Sequence, residues 1–250
     1  MLELFPQPVI FAHRGASAYA PENTLAAFEL AVQQGADAIE LDVKLSADGH
    51  AIVMHDDMVD RTTGGQGRVK AMSLAKLRSL EAGSHFAEKF HGEKIPLLEE
   101  VFESVGRRTY INVELTNYDS KEDGLVDTVC AIIKKFNLQK RILFSSFHAA
   151  NLVKARALLP DVPRGLLATN DYRGIWIRSF VFAFGNFQAL HPHVDTTSPR
   201  QINRVHRLRR RIHIYTVNAE DVIRRLFRWG VDGIFTDDPL LAIRVRGELR

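Results

Sequence analysis

The sequence predicts an α/β fold, a single (β/α)8 barrel of the TIM type, and three observations support that prediction. Short apolar runs rich in β-branched residues alternate with helical segments of about ten residues, which is the pattern of a parallel sheet wound by helical crossovers. Eight such strand-to-helix steps follow one another along the chain. The length of 250 residues, 46% of them apolar, suits one barrel with one large core. We therefore expect one domain over residues 1–250, with a small insertion at residues 56–96.

The first step runs from a strand at residues 9–12 to a helix at residues 25–34. Asn23 and Thr24 are residue types that begin a helix, and Gly35 is a type that ends one.

The next stretch departs from the simple alternation. A second strand at residues 38–43 turns back through an Asp-Gly turn into a run at residues 51–54, which predicts a hairpin that a parallel barrel does not require. Residues 56–96 then hold only a short helical run at residues 74–80. Because long structureless loops are rare in compact domains, we interpret this stretch as an insertion at one rim of the barrel. A helix at residues 97–105 resumes the alternation.

The remaining elements follow the strand-to-helix order. The predicted strands are a strand ending at Glu114 and those at residues 141–145, 165–168, 189–191, 213–217 and 233–235; the helices lie at residues 124–136, from Ala149, at 199–209, at 220–229 and after Pro239. Residues 174–187 are rich in Ile, Trp and Phe but too short and too polar to span a membrane. They predict a core or rim helix, with a lipid-touching patch as the alternative.

Candidate functional residues cluster at the predicted strand ends. Glu40 and Asp42 alternate with apolar residues, so both point to one side of their strand. Such a pair is common on solvated strands. Here, however, other strands end in similar groups, and barrel enzymes place their chemistry at the carboxyl ends of the strands. The six candidates are His13, Arg14, Glu40, Asp42, His55 and Glu114.

These residue types suit phosphoryl chemistry. Three carboxylates offer the hard oxygen ligands that Mg2+ or Ca2+ prefers, and the bound cation would neutralise a phosphoryl oxygen. Arg14 can bind a second oxygen with its planar guanidinium. Imidazoles titrate near neutral pH, so one of His13 and His55 can act as the general base and the other as the general acid. The sequence does not assign the two roles.

Several motifs resemble the glycerophosphodiester phosphodiesterase family, in the family's order over nearly the whole chain. They are HRGASAYAPENT from His13, the E-x-D of Glu40 and Asp42, HDD from His55, IPLLEEVF from Ile95, VEL around Glu114, YTVN and GVDGIFTDDP. The resemblance implies metal-dependent hydrolysis of glycerophosphodiesters to glycerol 3-phosphate and an alcohol. It also implies that the glycerol 2-hydroxyl attacks to form a cyclic phosphate and that the insertion covers the mouth of the active site.

The chain departs from the family at two positions that the resemblance places against the substrate. Thr116 stands where the family usually has a Lys, two residues beyond the third carboxylate. Tyr215 stands where a Trp is common, and it adds a hydroxyl able to bond glycerol or the headgroup. We expect Arg14, Thr116 and Tyr215 to bind substrate, and another cation, from the insertion, to replace the missing Lys in part.

Composition limits the partners. A net charge of +3 is too small for a nucleic-acid footprint across the protein. The arginine-rich residues 200–211 have the spacing of a solvated barrel helix, with a surface for anionic lipid or nucleic acid as the alternative. Cys130 is the only cysteine, which excludes an intramolecular disulfide and predicts a buried thiol. His191 and His193 are weak candidates for zinc, since zinc needs three or four convergent ligands.

We expect a small-molecule glycerophosphodiester as substrate, no stable membrane insertion and, without an N-terminal signal pattern, a cytoplasmic location. A homo-oligomer stays open.

Two alternative functions remain open from the sequence. One is a lysophospholipase D-like phosphodiesterase that acts at a membrane surface, which the Phe- and Trp-rich segment around Trp176 favours. The other is a non-catalytic barrel that only binds phosphodiesters, because fold alone does not determine function.

Overall fold

The computed structural model describes residue 5, residues 7–120 and residues 122–249. Within these ranges the strands are β1 (Val9–Ala12), β2 (Ala38–Leu45), β3 (Ala51–Val53), β4 (Tyr110–Leu115), β5 (Ile142–Ser146), β6 (Arg164–Ala168), β7 (Ala189–Pro192), β8 (Arg211–Ile214) and β9 (Gly233–Thr236). All except β3 form a closed parallel barrel, because β1 pairs with both β2 and β9. This confirms the predicted (β/α)8 fold. The first four residues, on which the expected lack of a signal pattern partly rests, lie outside the described ranges.

Helices connect the strands around the outside of the barrel. They are α1 (Leu25–Gln33), α2 (Leu74–Arg78), α3 (Leu98–Ser104), α4 (Leu125–Phe136), α5 (Ala149–Leu158), α6 (Tyr172–Trp176), α7 (Phe182–Phe184), α8 (Pro199–Arg207), α9 (Glu220–Arg228) and α10 (Pro239–Glu248). A π-helical segment, Ile177–Val181, joins α6 to α7. No helix within the described ranges is both long and apolar enough to cross a bilayer.

Most strand ends lie within one residue of the sequence-based expectation, and the larger differences are in β2 and β8. β2 continues to Leu45, so Glu40 and Asp42 lie inside the strand and not at its end. The extra residues pair antiparallel with β3, as the predicted hairpin requires. β8 begins two residues before the expected start and ends at Ile214. The chain beyond it stays close to the sheet, since the Val217 N–H donates to the Phe235 carbonyl at 2.8 Å.

The barrel interior contains a buried pair of histidines. His213 Nδ1 lies 3.1 Å from His191 Nε2. The His213 ring packs against Phe11, and the His191 ring packs against Phe235. Burial lowers the pKa of His213 to about 4 and the pKa of His191 well below its usual value. His191 is therefore a core residue, whereas His193 lies partly exposed after β7.

The insertion at residues 56–96 has a small core of its own. Its apolar side chains pack with Ile52 and Met54 of the hairpin in a cluster separate from the main core: Val59, Val69, Leu77, Leu80, Ala82 and Ile95. The main core lies between the barrel and the helices, and it includes Cys130, as the sequence indicated. On α8, Ile202 and Val205 face this core, which leaves the arginines of that helix outside.

Candidate active site

Three carboxylates converge where β2 and β4 lie side by side. The parallel register sets Asp42 opposite Glu114, and Glu40 lies two residues earlier on the same face of β2. One oxygen from each of Glu40, Asp42 and Glu114 lies within 4.8 Å of the other two. The structure thus brings together the three residues that the sequence predicted as metal ligands.

The electrostatics of this cluster favour a bound cation. Burial, together with the charges of Asp42 and Glu114, raises the pKa of Glu40 well above its usual range. Burial and the charge of Asp42 also raise the pKa of Glu114 to about 8. Among the described residues, Glu40 Oε1 has no hydrogen-bond partner. A divalent ion such as Mg2+ or Ca2+ suits this cluster, because it binds oxygen ligands and would offset the repulsion among the three carboxylates. It would also give the unpaired Glu40 Oε1 a partner.

Arg14 lies against the same carboxylates. Its backbone adopts a left-handed φ of 55°, and its N–H donates to Glu40 Oε2 at 2.8 Å. The guanidinium Nε lies 3.4 Å from Asp42 Oδ2, and Nη1 donates to Glu22 at 2.9 Å. Burial would lower the pKa of Arg14, but the surrounding carboxylates, chiefly Asp42, raise it above its usual value. Gly15 lets this turn approach α1, because a Cβ there would lie 2.7 Å from Ala27.

His13 is held by a carboxylate from the last barrel strand. Its Nδ1 lies 2.7 Å from Asp237 Oδ1, directly after β9. Asp237 also accepts hydrogen bonds from Ser17 Oγ and Asn218 Nδ2. Burial opposes ionisation of Asp237, but these hydrogen bonds, led by that of His13, lower its pKa. With Nδ1 engaged by Asp237, the Nε2 atom of His13 is left for proton transfer.

His55 has a parallel arrangement at the start of the insertion. Its Nδ1 lies 2.7 Å from Asp56 Oδ1, and Arg61 Nε donates to the other oxygen of Asp56 at 2.6 Å. Burial acts against ionisation, yet the hydrogen bonds from Arg61 and His55 lower the pKa of Asp56 to about 2. Each candidate histidine therefore has a carboxylate at Nδ1.

Arg61 links the insertion to the loop after β1. Its guanidinium donates two hydrogen bonds to Glu22, at 2.6 and 2.8 Å, and Glu22 also accepts from Arg14. Although Glu22 is partly desolvated, the two arginines lower its pKa to about 2. The chain of ion pairs from Asp56 through Arg61 and Glu22 to Arg14 fixes the position of His55 relative to the barrel.

A cavity of about 170 Å³ contains most of the predicted site residues. Its lining is His13, Arg14, Glu40, Asp42, His55, Asn112, Glu114, Ser145, Phe147, Leu167, Tyr215, Thr216 and Phe235. Tyr215 is part of this wall, and its hydroxyl donates to the Ala168 carbonyl at 3.0 Å. A larger cavity of about 910 Å³, at the opposite end of the barrel around Arg209 and Asp232, contains none of the predicted site residues.

Thr116 is the one predicted site residue that does not line this cavity. Its side chain is buried, and Oγ1 donates to the Val43 carbonyl at 2.8 Å. A cation near Thr116 is Lys44, which lies on β2 next to Val43. Lys44 Nζ donates to the Thr116 carbonyl at 2.9 Å and to Asp57 at 2.7 Å.

Sequence reasoning assigned no role to several residues that hold the site. They are Glu22, Lys44, Asp56, Arg61, Tyr118 and Asp237; Tyr118, for example, donates from its hydroxyl to Glu114 Oε1 at 2.7 Å. Asp237 directly follows a barrel strand, so the rule that named Glu114 could also have found it. The pairing of Arg61 with Glu22 has no such local signal.

Comparisons with known proteins show which proteins this chain is similar to. The sequence profile of the glycerophosphoryl diester phosphodiesterase family matches residues 13–241. A glycerophosphodiester phosphodiesterase of Caldanaerobacter subterraneus subsp. tengcongensis is 38% identical over 92% of this chain and 94% of its own, and one of Bacillus altitudinis is 36% identical over 96% and 99%. An Oleispira antarctica phosphodiesterase, solved in complex with the product sn-glycerol-3-phosphate, is 32% identical and covers 98% of both chains with a TM-score of 0.88.

Proposed function

The chain belongs to the glycerophosphoryl diester phosphodiesterase family and is an enzyme of that class, and we propose that it cleaves its substrates with one divalent cation and two histidines. The products would be glycerol 3-phosphate and an alcohol. The observation that carries this proposal is the convergence of three carboxylates, Arg14 and two carboxylate-paired histidines on one cavity.

Glu40, Asp42 and Glu114 would hold the cation, Mg2+ or Ca2+. The cation would supply positive charge that stabilises the phosphoryl oxygens as negative charge develops on them. The repulsion among the carboxylates supports this assignment, because a buried anionic cluster is costly without a counter-charge. Arg14 forms ion pairs with Asp42 and Glu22, and these contacts orient its guanidinium toward the cluster. The guanidinium would bind a phosphoryl oxygen while it keeps these ion pairs.

The two histidines would move the protons. A histidine whose Nδ1–H donates to a carboxylate presents Nε2 as an acceptor, and its imidazolium form is stabilised by the same carboxylate. His13 with Asp237 and His55 with Asp56 both meet this condition. One would take the proton of the attacking hydroxyl and the other would return one to the leaving alcohol. Their like arrangement leaves the two roles interchangeable on geometry.

The expected substrate-binding residues differ in their position relative to the cavity. Tyr215 lines the cavity, which supports a contact with glycerol or the headgroup. Thr116 lies outside the lining, so its contribution would be its backbone carbonyl, which positions Lys44. Arg61, from the insertion, is the cation that reaches the site region through Glu22, in line with the expected replacement for a missing Lys. The insertion at residues 56–96 would form the rim of a single domain spanning residues 1–250.

A product assay with a metal series tests the proposal. The protein is stripped of metal, and glycerol 3-phosphate is measured with several glycerophosphodiesters before and after Mg2+ or Ca2+ is added. Turnover should require the metal. His13→Ala and His55→Ala should each lower kcat by about 10²-fold or more, the usual contribution of a general acid or base.

The matched control is His85→Ala, an exposed histidine of the insertion that lies outside the cavity lining. It should leave kcat unchanged. Full activity in the metal-free protein would refute the metal assignment, and a normal kcat in either site variant would remove that histidine from the mechanism.

A further inference from the structure

One helical stretch exposes an unusual amount of aromatic surface. We call residues 172–184, which comprise α6, the π-helical segment and α7, the aromatic rim helix. Trp176, Phe180 and Phe184 form a row along it, with ring centroids 5.2 and 5.1 Å apart. Their exposed fractions are 63%, 55% and 80%. Contiguous apolar patches of this kind on a protein surface usually mark an interaction site.

The exposed row is not needed to hold the helix on the barrel. The opposite side performs that task, since Phe182 is fully buried and Ile177 packs on the main core. Gly174 allows close contact with the end of β6, because a Cβ there would meet the Thr169 carbonyl at 1.8 Å. The aromatic row therefore has no packing role that would account for it.

A basic groove lies beside the aromatic row. This groove, of about 250 Å³, separates the aromatic rim helix from α8 and is lined in part by Arg178, Arg200 and Arg204. The lining residues, all of them described, include no Asp or Glu. Arg178 and Arg204 donate to the backbone carbonyls of Thr169 and Ser179, which do not neutralise their charge.

The position of the patch relates it to the active site. The aromatic rim helix follows β6 at the carboxyl end of the barrel, where the site cavity opens. Leu167, at the end of β6, lines that cavity, and Ala168 accepts the hydrogen bond of Tyr215. A surface that contacts the aromatic row therefore also lies close to the mouth of the active site.

We propose that the aromatic rim helix and its arginine groove dock on the surface of an anionic phospholipid bilayer. Trp and Phe side chains enter the interface between headgroups and acyl chains, and nearby arginines attract lipid phosphates. The 13 residues are too few to span the roughly 20-residue width of a bilayer, so the contact is peripheral. This inference goes beyond the proposed function, and bilayer binding can be measured without catalytic turnover.

Charge favours a bilayer over a second copy of the chain. A twofold contact between two such patches would bring like faces together, so the arginines of one groove would lie near those of the other. That repulsion disfavours self-association, whereas the same charges favour anionic headgroups. A neutral bilayer would use the aromatic row but not the groove.

Vesicle sedimentation tests the proposal with the full-length protein. Sucrose-loaded vesicles of phosphatidylcholine alone are compared with vesicles that also contain phosphatidylglycerol, at low and high salt. We expect binding to the anionic vesicles that weakens as salt screens the charges. Phe180→Ser with Phe184→Ser should weaken it at least about tenfold, since each variant removes a large apolar side chain from the interface.

Matched variants separate this surface from general stickiness and charge. Val153→Ser with Leu249→Ser removes two other exposed apolar side chains, 63% and 38% exposed, and should not change binding. Arg200→Glu with Arg204→Glu should abolish the preference for anionic vesicles. Arg107→Glu with Arg228→Glu makes the same charge change at exposed positions near the other end of the barrel and should have a much smaller effect.

Each variant should keep its melting temperature, because the changed side chains are exposed. It should also keep its turnover of a water-soluble glycerophosphodiester, because none of the changed residues lines the site cavity. Failure of the unchanged protein to sediment with anionic vesicles would overturn the proposal. So would equal losses in the test and control variants. A dimer in analytical ultracentrifugation that disappears in the Phe180→Ser, Phe184→Ser variant, without vesicle binding, would assign the patch to self-association instead.

Discussion

At the scale of single residues, the two histidine–carboxylate pairs carry the most direct predictions. Asp237→Asn should lower kcat at least about tenfold with little change in KM, because the imidazolium form of His13 loses its counter-charge. Steady-state kinetics measure kcat and KM of the variant against the unchanged protein.

Ser17→Ala is the control for this change, because it removes one hydrogen bond to Asp237 and keeps the carboxylate. It should have a smaller effect on kcat. An Asp237→Asn enzyme with a normal kcat would show that Asp237 does not position or polarise His13.

Lys44 is the second residue whose role can be isolated. Its Nζ is buried between the Thr116 carbonyl and Asp57, and its charge opposes the raised pKa of Glu114. Lys44→Met should lower kcat/KM and reduce the free energy of unfolding by about 1–3 kcal/mol, because a buried acceptor loses its donor. Steady-state kinetics and urea unfolding measure the two effects.

Lys70→Met is the matched control for Lys44. Lys70 lies in the same region but is 45% exposed and pairs with Asp119, so its removal should change stability by less than about 1 kcal/mol. Equal effects of the two substitutions would mean that the buried position of Lys44 has no special importance.

At the scale of elements, the insertion depends on its own small core. Leu77 of α2 is fully buried in that core. Leu77→Ala should reduce the free energy of unfolding by about 2–5 kcal/mol, the cost of a lost side chain and its cavity. Activity should also fall, since His55 and Arg61 lie where the insertion begins. Lys76→Ala, on the exposed side of α2, should change neither measurement by much.

The buried histidine pair of β7 and β8 predicts acid sensitivity. The folded-state pKa of His213, about 4, lies below the ordinary 6.5, so the unfolded chain binds the proton first as pH falls. The neutral form of His213 contributes on the order of 3 kcal/mol to the free energy of unfolding above pH 6.5, and this contribution is lost as the pH falls from 6.5 to 4. His191 acts in the same direction.

The double variant His191→Gln, His213→Asn keeps polar atoms near the positions that bond but cannot titrate. The difference in unfolding free energy between it and the unchanged protein should vary across that pH window. His85→Gln, at an exposed position, should show no such variation. A constant difference for the double variant would contradict the assignment.

At the scale of the whole molecule, metal binding should stabilise the fold. A ligand bound only by the folded state adds about 2.7 kcal/mol at a concentration 100 times its Kd, or about 5–10 °C for a chain of this size. The folded pKa of Glu114, about 8, exceeds the usual 4.5, so the metal-free protein loses stability as pH rises between these values. The gain in melting temperature from Mg2+ or Ca2+ should therefore be larger at pH 8 than at pH 6.

Glu40→Gln should remove most of this gain, because it takes one ligand charge from the cluster. The exposed Glu88→Gln should leave it intact. A gain that is the same in both variants would mean that the metal binds elsewhere.

The sequence by itself determined the order of the barrel elements and named six candidate residues that line one cavity in the structure. Both depend on local signals: the two-residue alternation of strands, the residue types that begin and end helices, and the position of polar residues near strand ends. Glu40, Asp42 and Glu114 could be grouped because neighbouring parallel strands bring equivalent positions together. The main error in this region, the length of β2, arose because pairing with β3 extends the strand beyond Asp42.

Only the tertiary structure decided which groups hold these residues in place. His13 and Asp237 are 224 residues apart in sequence and meet because β1 closes the barrel against β9. Arg61 reaches Glu22 because the insertion folds back over the loop after β1. The burial of Thr116 and the exposure of the aromatic rim helix likewise depend on what packs against each element. Such partners are set by barrel closure and packing, and a local sequence pattern does not encode either.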